Sequence, residues 1–73
     1  MELPYQTLKN LSEKVLNGRA QISSAALYAL DEYLVEKAEE LIEEAVLITE
    51  MNDKKRVSEV HFHRAIALMN KRR

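Results

Sequence analysis

The chain has 73 residues, 47% of them apolar and 32% charged, with one glycine, one proline and no cysteine. This is too apolar for a disordered segment, and without cysteine neither a disulfide framework nor a thiolate metal site can form. No apolar run approaches the roughly 20 residues of a membrane span and the N-terminus lacks a basic start followed by an apolar stretch, so a soluble, intracellular, single domain over residues 1–73 is expected.

Pro4 suits the first turn of a helix, where a missing N–H costs nothing. Leu8, Leu11, Val15 and Leu16 then follow at helical spacing. Asn17-Gly18 stops this first helix, because glycine enters the left-handed conformation without steric cost. Arg19-Ala20-Gln21-Ile22 reads as a short extended connection. Ser23 or Ser24 then caps a second helix that meets no glycine or proline before about Met51. About 28 helical residues span roughly 42 Å, whereas a compact globule of this length has a radius of gyration of about 11 Å. The flanks cannot wrap such a helix, so a partner is expected, most simply a second copy. Leu27, Leu30, Leu34, Leu41, Ala45 and Ile48 are the expected dimer interface. Asn52-Asp53 ends this helix, Lys54-Lys55-Arg56-Val57 forms a second short loop, and Ser58 caps a third helix with Glu59 in its first turn. Val60, Phe62, Ala65, Ile66 and Met69 are its apolar positions, and Lys71-Arg72-Arg73 ends it with cations.

The formal net charge of −1 conceals three blocks: +1 over residues 1–30, −7 over residues 31–50 and +5 over residues 51–73. The acidic block, Asp31 to Glu50, reads as an outer solvated face of the long helix. No glycine-rich loop or convergent base accompanies it, so catalysis, a small-molecule substrate and a cofactor are not expected. His61 and His63, two residues apart on a helix, point to different sides, which argues against a metal pair. Lys54-Lys55-Arg56 reads either as a solvated loop beside a helix C-terminus or as a run of phosphate contacts. Lys71-Arg72-Arg73 reads either as a second such contact or as a frayed end.

Short helix, short loop, long helix, short loop, short helix resembles the histone fold, and over nearly its whole length the chain is similar to a small archaeal histone. The residues that carry the resemblance are Met1-Glu2-Leu3-Pro4, Ile22-Ser23 before the long helix, Lys54-Lys55-Arg56-Val57 in the second loop, and Val60, Phe62, Ala65 and Ile66 in the third helix. The resemblance implies an all-α handshake homodimer in which the first loop of one chain lies beside the second loop of its partner. Arg19 and Gln21 would then neighbour Lys54, Lys55 and Arg56 on a basic edge, with Lys9 and Lys14 toward the same surface. The family usually places Arg-x-Thr in the second loop and Asp early in the third helix, joined as an ion pair. Here Lys54, Arg56 and His61 stand at those positions, and Gln21 stands where a minor-groove arginine is typical. The family also implies that dimers meet through the third helix, here at His61, His63 and Arg64, with a closed tetramer as one geometry.

The expectation is therefore a non-catalytic histone-fold dimer or tetramer in the nucleoid of the cytoplasm. It would bind double-stranded DNA without sequence preference through Arg19, Gln21, Lys54, Lys55, Arg56, Lys9, Lys14, Lys71, Arg72 and Arg73. The alternative is a histone-fold dimerisation module that binds protein, as transcription-factor subunits do.

Overall fold

The computed structural model describes residues 1–72 and contains three helices: α1, Tyr5–Leu16; α2, Ser24–Met51; and α3, Glu59–Lys71. Among the described residues there is no strand, so the segments around Ile22 and Val57 are unpaired connections.

Each helix ends on chemistry written in a few adjacent residues. Pro4 lies just before α1 rather than inside its first turn, at φ −60° and ψ 123°, and its carbonyl accepts the N–H of Leu8 at 3.2 Å. Asn17 and Gly18 close α1 with φ of 46° and 80°, and Asn17 and Arg19 donate their N–H groups to the carbonyls of Glu13 and Leu16. Of the two candidate serines, Ser23 caps α2: its Oγ accepts the N–H of Ala26 at 3.1 Å. The C-terminus of α2 is a Schellman motif. Lys54 N–H bonds the Thr49 carbonyl and Asp53 N–H bonds the Glu50 carbonyl, both at 3.0 Å, with Asp53 left-handed at φ 56°. Aspartate and asparagine are the side chains that reach this conformation most readily after glycine.

Packing divides the chain within α2, between Glu36 and Lys37. The part from Met1 to Glu36 buries Leu8 of α1 and Leu27 of α2. It also buries Asp31, whose carboxylate accepts the backbone N–H groups of Glu2 at 3.1 Å and Leu3 at 2.7 Å. Asp31 was expected on the acidic outer face. It lies instead four residues after Leu27 and three before Leu34, on the apolar side of the helix, where two N–H donors offset its burial.

In the part from Lys37 onward, Ala45, Ile48 and Ala65 form the buried cluster, and Leu41, Val57 and Phe62 pack against it. Ala45 and Ala65 have no exposed surface; small side chains at a helix contact favour a short interaxial distance. Thr49, also buried, gives its hydroxyl to the Ala45 carbonyl at 2.7 Å, so its polar atom stays inside the helix.

The residues of the expected dimer stripe are partly covered within the single chain. Leu27, Ala45 and Ile48 are covered by the chain itself, and Leu30, Leu34 and Leu41 are half-buried. On α2, Tyr28 and Tyr33 in the first part and Ile42, Val46, Leu47 and Met51 in the second are exposed large apolar residues.

Asp31 is expected to matter well beyond its charge. Asp31→Ala leaves two backbone donors without their acceptor and should cost about 2 kcal/mol, the range for hydrogen bonds to an ionised group. Urea unfolding followed by circular dichroism measures it.

Candidate nucleic-acid interface

The basic residues of the second loop stand between two fixed ends. The Schellman turn at Asp53 fixes the start. Val57, packed on the Ala45, Ile48 and Ala65 cluster, holds the finish. Beyond it, the N–H of Ser58 bonds the Nδ1 of His61 at 2.9 Å, and Ser58 Oγ lies 3.1 Å from the same nitrogen. Between these anchors Lys54, Lys55 and Arg56 are exposed, and no described residue holds their side chains by a hydrogen bond or ion pair. They also follow the C-terminus of α2, where positive charge is favoured by the helix dipole.

The first loop is arranged differently. Arg19 folds its guanidinium back onto α1, donating Nε–H to the Leu16 carbonyl at 3.1 Å and Nη2–H to the Val15 carbonyl at 2.8 Å. It thus caps the helix C-terminus while its remaining donors face solvent. Lys9 and Gln21 come together in a cleft of about 410 Å³ floored by Leu16 and Ile22, with Glu13 in the same wall. Lys14 is exposed but does not line that cleft.

The remaining basic residues diverge. Lys71 is exposed, but Arg72 gives Nη2–H to the Glu44 carboxylate at 2.6 Å. Arg72 therefore spends charge on the acidic side of α2. Arg73 lies outside the described residues. Of the three residues expected at a dimer–dimer surface, His61 is buried in the chain's own packing, with its Nδ1 taken by Ser58. His63 and Arg64 are exposed, and Arg64 edges an open apolar groove of about 420 Å³ with Leu47, Met51, Ala67 and Leu68. Among the described residues no cluster of three or more histidine, cysteine, aspartate or glutamate side chains could hold a metal ion.

Three of these arrangements escaped the sequence reading. Ser58 and His61 keep the spacing of a capping box, with histidine in the place usual for glutamate or glutamine, and that spacing was the available signal. The double role of Arg19 followed from a cation placed three residues past a helix end. The Arg72–Glu44 pair joins residues 28 apart in the chain and left no local signal.

A long central helix flanked by two short ones across two short loops, the second strongly basic, defines a histone-type fold, a class that is non-catalytic. The chain belongs to the family described as histone-like transcription factor (CBF/NF-Y) and archaeal histone, whose profile matches residues 1–66. Members of this family bind DNA and form dimers. No curated protein and no solved structure matches the chain. Among the described residues no helix is long and apolar enough to cross a membrane.

The Arg72–Glu44 pair gives a direct check on what such contacts contribute. Arg72 remains well exposed, so Glu44→Gln should shift stability by less than about 1 kcal/mol, as read by urea denaturation at two salt concentrations.

Proposed function

We propose that the chain acts as a handshake homodimer that binds double-stranded DNA without sequence preference and organises or bridges chromosomal DNA in the nucleoid. The observation that carries this reading is the exposed, unengaged Lys54-Lys55-Arg56 run on a loop fixed at both ends. Such a loop presents cations with little ordering cost, and cations on a phosphate backbone release counterions without reading bases.

Dimerisation rests on what α2 leaves uncovered. Tyr28, Val35 and Ile42 recur every seven residues on that helix, with Val46 beside them, and Tyr28 and Ile42 are about half exposed in the single chain. A second, antiparallel copy would cover this face. It would also bring the first loop, with Arg19 and Gln21, beside the partner's second loop. Arg19 contributes there with the donors its capping role leaves free, and Lys9 lies next to Gln21. Lys14 and Lys71 are outlying cations in this reading. Association of dimers into a tetramer would use His63, Arg64 and the adjoining groove.

A second reading, a dimerisation module that binds protein, is favoured by the engagement of Arg19 and Arg72 within the chain, which lowers the charge available for DNA. Charge reversal separates the two. Replacing Lys54, Lys55 and Arg56 with glutamate should abolish gel-shift binding of a short duplex near 50 mM salt while the dimer mass is unchanged. With three cations on each of two edges, log K should fall against log salt with a slope of about −5. A wild-type dimer that fails to bind at that salt favours the protein-binding reading.

The dimer face has its own test. Ile42→Glu changes a half-exposed residue and should be tolerated by a lone chain. In the dimer it buries a carboxylate without a partner, so sedimentation should report monomer, accompanied by loss of helicity.

A further inference from the structure

His61 stands where the family resemblance leads one to expect an aspartate, and its surroundings give it a role of its own. It is the third residue of α3 and is 5% exposed. Its Nδ1 accepts the N–H of Ser58 at 2.9 Å and lies 3.1 Å from Ser58 Oγ. These are the ring's only hydrogen-bond contacts among the described residues. An acceptor Nδ1 requires the neutral tautomer with hydrogen on Nε2. The carbonyl of the same Ser58 accepts the N–H groups of His61 and Phe62 at 3.1 and 3.3 Å. One imidazole therefore joins the basic loop to the first turn of α3.

We propose that His61 is a proton-sensitive latch: its neutral ring fastens the second loop to the start of α3, and a proton on Nδ1 releases it. A protonated Nδ1 is a donor facing the Ser58 N–H, also a donor, so that bond cannot survive the proton; the Ser58 Oγ, 3.1 Å away, can accept the new ring N–H, but the backbone N–H of Ser58 is left without its acceptor. The surrounding charge offers no compensation. The ring lies at the positive end of the α3 dipole, where a cation is unfavourable. The loop leading to it carries the exposed cations Lys54, Lys55 and Arg56 after Asp53 at the turn, and α3 itself carries exposed His63 and Arg64. Glu59 is the single acidic residue of the first turn, exposed and not bonded to the ring. On α2, the residues packed toward α3 are Leu41, Ala45 and Ile48, and the carboxylate of Glu44 is held by Arg72. The latch is therefore closed while the ring is neutral and opens when acid places a proton on Nδ1. Opening frees the segment that presents the three loop cations.

Amide hydrogen exchange reads the latch directly, independently of whether the loop binds DNA. After correction for intrinsic exchange, protection at Ser58, His61 and Phe62 should fall about fivefold or more between pH 7.5 and pH 5.5, the loss of one helix cap. His61→Gln keeps an acceptor at the third position of the capping box but does not titrate, so its protection should stay flat. An equal fall in the variant, or no fall in the natural chain, overturns the proposal. Should the variant not fold, the ring 15N spectrum of the natural chain decides. A neutral ring with hydrogen on Nε2 at pH 7.5 and coupling from Nδ1 to the Ser58 amide that vanishes at pH 5.5 supports the latch. Hydrogen on Nδ1 at pH 7.5 overturns it.

Discussion

Helix α2 has to be kept dry on more sides than its own chain covers. In each part of the chain one flanking helix meets it, and the cores that result are small: Leu8 and Leu27 in one, Ala45, Ile48 and Ala65 in the other. Their size is set by the contact. Alanines permit close approach but remove little apolar area from water, at about 25 cal/mol per Å². Ile42, Val46, Leu47 and Met51 remain outside. The outer side of α2 adds a further cost, since Glu36 with Glu40 and Glu39 with Glu43 are like-charge neighbours. The family to which the chain belongs forms dimers, and association would supply burial that the single chain leaves undone.

The ends of the helices impose a second constraint. Orphan carbonyls and N–H groups must be satisfied, and this chain satisfies several with side chains that could otherwise bind a ligand. Arg19 covers the last carbonyls of α1, Asp31 collects the N–H groups ahead of it, and His61 holds the start of α3. Arg72 is drawn to Glu44. Counting basic residues in the sequence therefore overstates the charge available to an external polyanion. What remains most available is the second loop, whose backbone is anchored without help from its charged side chains.

The helical frame was legible because it rests on local signals: apolar spacing, Pro4, Asn17-Gly18, Ser23 and Ser58. The separation of core from interface was less so. Periodicity shows that Leu27, Leu34, Leu41 and Ile48 share a side of α2, but not whether α1, α3 or another chain lies there. Asp31 falls within the acidic block of the sequence. Its register between Leu27 and Leu34 carried the opposite message, and its donors lie 28 and 29 residues away. The replacement of an aspartate-type clamp by His61 was visible as a departure from the family pattern, whereas its repair through Ser58 needed the ring geometry.

The left-handed Asp53 and the capping Ser58 also fix a length. Four residues separate them, and the last, Val57, is committed to the apolar cluster. Deleting one would pull a charged residue into the hydrophobic seat or drag the cap off its helix; adding one would break the spacing at one end. The three exposed positions can change identity one at a time, but not in number. On the proposed DNA-binding reading, affinity would be tunable by point replacement and resistant to tuning by insertion or deletion.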